Sequence, residues 1–218
     1  MAHHRKKNVR LGPRWNLKER PNATLILANG YAAVLPKLIA SSRTSKIAFL
    51  TDTRRIHKRI FHRLTPDGFE EYAGTYRGEP GTSLERRFAL IRYRTAEGFM
   101  AETRLVHPSR VASEMDRLAT YIAETFSQEW NAEQYLWRSV RIFAHFSHIH
   151  PYLNGNGQTS RLMMHVMAHL GGISVSPNWS LHVRPYGNGV GYCLQSYPSN
   201  PELLFSYFKR WFGKWSAE

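Results

Sequence analysis

Between His150 and Arg161 the chain reads His-Pro-Tyr-Leu-Asn-Gly-Asn-Gly-Gln-Thr-Ser-Arg, a set of residue types suited to phosphate chemistry. Helical apolar periodicity precedes the stretch and resumes after it. The spacing therefore predicts a histidine at the end of one helix, a glycine-rich turn, and the N-terminus of a second helix. A helix N-terminus offers unpaired N–H groups and the positive end of the peptide dipole to an anion. Gly155 and Gly157 allow the backbone to come close to that anion and to take positive φ where needed. Gln158, Arg161 and His165 recur at i, i+3 and i+7, so they share one stripe of the second helix, the first two near its anion-facing end. His150, at the mouth of the loop, supplies an expected base of near-neutral pKa. The chemistry implied is phosphate binding with a general base beside it.

Asn-Gly repeats also mark hairpin turns, but a hairpin needs strands on both sides, and both flanks here are helical in pattern. The stretch resembles the signature of the Fic (Fic/Doc, or Fido) family, written H-P-F-x-[D/E]-G-N-G-R-x-x-R. His150, Pro151, the aromatic Tyr152, Gly155, Asn156, Gly157 and Arg161 match it in order, while Asn154 replaces the acidic residue and Gln158 the first arginine. The resemblance implies a mainly α fold, a Fic-type helical bundle with a small β-hairpin flap. It also implies a protein adenylyltransferase that moves AMP from ATP to a Ser, Thr or Tyr hydroxyl of a target protein. In that reading Asn154, Gly155, Asn156, Gly157 and Gln158 surround the phosphates, Arg161 contacts the outer ones, and Mg²⁺ bridges the α and β groups. His150 takes the proton of the attacking hydroxyl and pyrophosphate leaves. These roles need a base near neutrality, fixed positive charge and a metal for the leaving group.

The two departures bear on those roles. Mg²⁺ prefers charged oxygen ligands, and Asn154 offers only a neutral carbonyl, so it is at best a weak metal ligand. Gln158 donates hydrogen bonds but neutralises no phosphate. The alternatives are a slower enzyme, another donor (the family includes members that transfer UMP, phosphocholine or phosphate), or a degenerate site that only binds nucleotide.

Three elements must position this loop. Helices are expected over 109–127, over 131–149, and from the loop to Gly171-Gly172; Asn131 and Gln134 form a capping-box pair, and the three apolar stripes imply a bundle. Strand-like runs 88–94 and 99–106 predict a hairpin over about 87–106, joined through 95–98. By resemblance this is the flap on which the target docks by strand addition, with Arg92, Tyr93, Arg94, Phe99 and Met100 as docking residues. Ala73-Gly74-Thr75-Tyr76-Arg77 is similar to the A-G-x-Y-R segment that precedes Fic cores. Tyr192-Cys193-Leu194 resembles the segment closing over the nucleotide base, in a loop-rich stretch 173–200. A closing helix is expected over 201–215.

Upstream, residues 1–21 read as a loosely ordered basic arm, 22–64 as N-terminal helices, and 65–218 as the Fic-like core. A helix starts at Asn22 and is interrupted by Pro36; another spans 51–64 with Phe49, Ile56, Ile60 and Leu64 on one face. Thr24–Asn29 fits the family's inhibitory frame [S/T]-x-x-x-E-[G/N], but Ala28 stands where the glutamate belongs. Restraint is then expected from a separate inhibitory partner or another mechanism.

The 218 residues carry 30 Lys plus Arg against 16 acidic residues, a net charge of +14, with 42% hydrophobic residues. That composition suits a packed domain with a surface attractive to polyanions. A basic module gripping nucleic acid is the rival reading, but no recognised nucleic-acid motif accompanies the charge. His165 and His169 stand at i, i+4 as a zinc alternative, without the glutamate of H-E-x-x-H or any cysteine pattern. The single cysteine, Cys193, excludes an intrachain disulfide. With no signal peptide in view, and 25–40 broken by Asn29, Gly30, Pro36 and Lys37, the expected place is a cytosol, the cell's own or one into which the protein is delivered, with no membrane span.

Overall fold

The computed structural model describes residues 12–95, 98–187 and 189–213. The first part of the basic arm (1–11), the tip of the hairpin (96–97) and the end of the closing helix (214–215) lie outside the described residues. Eight α-helices among the described residues form a mainly helical bundle: α1 (Ala23–Ala40), α2 (Arg43–Thr51), α3 (Arg54–Phe61), α4 (Val111–Phe126), α5 (Ala132–Ile149), α6 (Asn156–Leu170), α7 (Gly189–Ser196) and α8 (Pro201–Lys209). Two antiparallel pairs complete it, β1 (Leu90–Arg94) with β2 (Met100–Arg104) and the short β3 (Ser174–Val175) with β4 (Phe212–Gly213).

α6 is the central element. Leu162, Met163, Met164, Val166, Met167 and Ala168 are all buried, covering most of the helix circumference. A helix apolar on nearly every side must be surrounded. α5 packs along it, α1 and α2 touch it from the N-terminal half, and α4 packs against α2 and α5. The stripe Val111, Met115, Leu118, Ile122 and Phe126 makes α4 amphipathic and buries one face of it. At the start of α5 the expected capping box is present: Asn131 Oδ1 accepts the Gln134 N–H, and Gln134 Oε1 accepts the Asn131 N–H.

Several boundaries differ from the sequence expectation. The helix expected over 51–64 begins only at Arg54, as α3 followed by a short 3-10 turn over 62–64, and α2 before it was not anticipated. Asp52 accepts the Arg54 N–H (3.0 Å) through its side chain, a local bond that competes with helix continuation and turns the chain. α1 runs through Pro36 to Ala40, held by the burial of Leu27, Tyr31 and Val34 against neighbouring helices. Asn22 precedes it in the left-handed region (φ 56°) and makes no side-chain cap. By length and mean hydropathy (1.4) alone α1 is long and apolar enough to cross a membrane, but its Leu27, Tyr31 and Val34 pack in the core, and the expectation of no membrane span is not overturned. In the described part of the basic arm (12–21) Trp15 and Leu17 are buried, and Trp15 Nε1 donates to the Leu64 carbonyl (2.7 Å). The loop-rich stretch 173–200 contains α7, and the closing helix stops at Lys209 so that Phe212 can pair with Val175.

The hairpin is shorter than expected, with register Leu90↔Arg104 to Arg94↔Met100. It leans on α7. Thr103 Oγ1 donates to Gln195 Oε1 (3.0 Å), and Tyr93 lies so close to Gly191 that an added Cβ there would sit 3.1 Å from Tyr93 Cβ.

α5 ends at His150, which is left-handed (φ 52°, ψ 59°). The last carbonyls of a buried helix need donors. Arg77, with no exposed surface, supplies them: Nε donates to His150 O (2.8 Å) and Nη2 to Ile149 O (2.9 Å). The same guanidinium reaches Val106 O (3.3 Å) and, through Nη1, Arg87 O (2.9 Å), while the Arg77 N–H donates to Pro151 O (2.7 Å). Burial lowers its pKa to about 10, which leaves it charged at neutral pH. Each carbonyl left buried without a donor costs about 1–3 kcal/mol. Arg77→Met is expected to lower unfolding stability by more than about 3 kcal/mol in urea titrations; a midpoint within error of wild type would show that the guanidinium is replaceable.

Candidate active site

The loop after α5 is built from reciprocal bonds. Asn156 Oδ1 accepts the Tyr152 N–H (2.9 Å) and its Nδ2 donates to Tyr152 O (2.7 Å), so this side chain closes the loop on itself. Gly155 is left-handed (φ 81°), and a Cβ there would lie 2.7 Å from Phe61 and 2.9 Å from His57 Nε2. Both its conformation and its crowding demand glycine. The first helical bond of α6 runs from the Thr159 N–H to Gly155 O, which leaves the N–H groups of Asn156, Gly157 and Gln158 at the positive end of the helix without intrahelical partners.

Behind the loop stands His57, which sequence reasoning missed. Its ring stacks on Tyr152 (3.6 Å between centroids, 11°) and on Phe61 (4.4 Å). Its Nδ1 accepts the Gly74 N–H (2.9 Å), so its Nε2 carries the proton and donates to Asn154 O (3.0 Å). Full burial lowers its pKa to about 3. Only its place among Ile56, Ile60 and Phe61 on α3 hinted at a core role, and nothing in the sequence pointed to its partner.

His150 lines a cavity of about 300 Å³. Its Nδ1 lies 3.4 Å from Ser147 O; a carbonyl only accepts, so Nδ1 holds the proton and Nε2 keeps its lone pair. Burial and the Arg77 charge lower its pKa to about 4, which corrects the near-neutral expectation. The ring is therefore neutral at pH 7.

Of the other expected residues, Asn156, Gly157, Arg161, Arg92, Tyr93 and Met100 line the same cavity. Arg161 is buried; Nε and Nη2 donate to Leu181 O (3.2 and 2.8 Å), and a Cβ on Gly157 would lie 3.6 Å from its Nη1, at the start of α6. Arg92 pairs with Glu102 (3.1 Å). Five expected residues are not on the lining. Gly155 packs against Phe61 and His57, Gln158 lies to the side of α6, and Phe99 is 71% exposed on the hairpin. Tyr192 points away because the turn of α7 directs Val190, Gly191 and Leu194 inward instead. Asn154 is engaged elsewhere: Nδ2 donates to Trp15 O (2.9 Å) and Oδ1 accepts the Gly155 N–H (2.7 Å). Arg94 enters only through its register with Met100. The lining adds Ser147, Ser160, Arg184 and Tyr186, which the sequence did not single out. Arg184 forms none of the ion pairs found among the described residues.

Among the described residues no Asp or Glu lines the cavity, so the residues present do not fit a Mg²⁺ ion held by the protein. Among the described residues no three His, Cys, Asp or Glu side chains cluster to hold any metal.

The profile of the Fic/DOC family matches residues 49–168, from the end of α2 through the loop and into α6. The chain belongs to this family. Solved Fic structures share its fold. BepC, a VirB-translocated effector of Bartonella tribocorum with bound AMPPNP, is 14% identical with a TM-score of 0.58, covering 90% of each chain. The N-terminal Fic domain of a putative cell filamentation protein from Bartonella quintana, a VirB-translocated Bep effector, is 16% identical with a TM-score of 0.56, over 95% of this chain and 90% of that one. The same domain with bound ADP gives 0.55. A search of curated proteins finds no match.

Two rings buried as neutral imidazoles make a pH prediction. In the unfolded chain they take up protons near pH 6.5, while the folded values are about 3 and 4. Stability is thus full above pH 6.5 and falls as pH drops toward the folded values. Urea midpoints should be flat from pH 7 to 8 and decline from 6.5 downward, before most carboxylates titrate near pH 4. His57→Gln should be less stable at pH 7 yet show a shallower decline; an unchanged slope would mean that His57 is protonated in the folded protein.

Proposed function

We propose that this Fic domain transfers AMP from ATP to a hydroxyl side chain of a target protein, with His150 as general base. One observation carries the reading: the free Nε2 of His150, the N-terminus of α6 and the Arg161 guanidinium belong to one cavity, and the hairpin forms its rim. The related Fic domains with AMPPNP and ADP bound support a nucleotide as its occupant.

The triphosphate would meet the N–H groups opening α6, Arg161 and Arg184. Its negative charge raises the proton affinity of His150, so the ring becomes a stronger base once the nucleotide is in place. The target oxygen attacks the α-phosphorus as its proton passes to Nε2. The bond to the α–β bridging oxygen breaks and pyrophosphate leaves. Val190, Gly191 and Leu194 on α7 would wall the base and sugar.

The hairpin is the proposed dock. Among the described residues each of its two strands has an edge without a strand partner, and Phe99 and Met100 are 71% and 64% exposed. An extended target segment pairing there would bring its hydroxyl over the cavity. The family's translocated members support a cytosol as the place of reaction, either the producing cell's own or one receiving the protein.

Incubation of a cytosolic extract with α-³²P-ATP should label a protein band, and His150→Ala should reduce the label about 10²–10⁴-fold. Saturable ATP binding without label would instead favour another donor or a site that only binds. Arg184→Ala should weaken ATP binding about tenfold, the worth of one charge-assisted hydrogen bond; unchanged affinity would remove Arg184 from the phosphate site.

A further inference from the structure

The signature position filled by a carboxylate in the family holds Asn154, whose amide bridges two backbone groups. It donates to the Trp15 carbonyl and accepts the Gly155 N–H. Trp15 is itself fixed, 5% exposed, its indole bonded to Leu64 O and its ring edge-on to His57 and Phe61 (6.2 and 6.3 Å). The Asn154 carbonyl takes a third bond, from His57. Only an amide satisfies both side-chain neighbours. A carboxylate has acceptors alone and would turn a negative oxygen toward the Trp15 carbonyl. The substitution and the strap thus match each other.

The cavity carries its positive charge differently. Among the described residues its lining includes no carboxylate, and its cations besides the paired Arg92 are Arg161 and Arg184. A divalent ion there would find no anionic ligand from the protein.

We infer that Asn154 is a positioning residue that fastens the segment around Trp15 to the phosphate-binding loop, and that the site takes its nucleotide without a protein-held divalent ion. The second half rests on the nucleotide reading above; the first does not. Arg161, Arg184 and the α6 N-terminus supply the charge that a metal otherwise would. The strap holds the loop from behind, so the N–H groups that open α6 keep their direction toward the cavity.

Melting of wild type and Asn154→Asp, with and without millimolar Mg²⁺ and with no nucleotide, tests the strap. The variant should melt about 2–4 °C lower, and Mg²⁺ should move neither protein. A variant as stable as wild type, or one that Mg²⁺ restores, would overturn the strap and put the side chain within reach of a metal. Below both melting ranges, Asn154→Asp should also bind ATP about three- to tenfold more weakly; equal affinity would make Asn154 merely structural. Wild-type ATP affinity should change less than about threefold between Mg²⁺ and EDTA, and a loss of tenfold or more in EDTA would overturn the metal-free site. Absence of ATP binding in both buffers would overturn the nucleotide reading itself, while the melting comparison decides the strap on its own.

Discussion

The guanidinium of Arg77 at the C-terminus of α5 is the contact on which the site depends. A helix that ends inside the protein exposes carbonyls to a place without water, and its dipole concentrates negative charge there. One buried cation answers both needs and also joins the carbonyls of Val106 and Arg87, on either side of the hairpin, to those of Ile149 and His150. The hairpin, the end of α5 and the start of the loop therefore share a single anchor. His150 takes its left-handed conformation next to that anchor, and burial, with the same charge beside it, keeps its ring neutral.

A second layer supports the loop from the opposite side. Tyr152 stacks on His57, shares a hydrogen bond with Thr53 (2.7 Å), and sits under Asn156, which holds its backbone at both ends. The stack comes from α3 and the hydrogen bond from Thr53 just before it, and Trp15 from the segment before α1 packs edge-on to His57, so the first sixty residues are part of the site's foundation. Regions that look separable by composition are joined through one aromatic stack.

The central chemistry was legible because it is local. The positions from His150 to Arg161 are consecutive, glycine spacing and helical periodicity describe them well, and the bundle follows from three apolar stripes. What escaped the sequence depends on distant partners. Asn154 and Trp15 are 139 positions apart, and no periodicity relates them. Arg77 stands in the A-G-x-Y-R segment, but nothing in the sequence gives it a task until α5 ends on it. The start of α3 only at Arg54 follows from the Asp52 side chain competing with the helix, and the passage of α1 through Pro36 follows from packing that outweighs a local penalty of about 3 kcal/mol. Tyr192 was expected at the cavity in place of Val190, Gly191 and Leu194 because α7 was read as loop, and a loop has no face to assign.

The hairpin's lean on α7 has a thermodynamic consequence. Tyr93 against Gly191 and Thr103 on Gln195 make the protein-facing ribbon and the inner wall of the cavity one mechanical unit. Val190 and Leu194 on that helix, and Ile91 and Tyr93 on that ribbon, border the same space. An occupant of the cavity that settles α7 therefore settles the ribbon as well, and a segment paired along the ribbon settles α7. Linkage makes such coupling reciprocal: whatever factor one occupant adds to the affinity of the second, the second returns to the first.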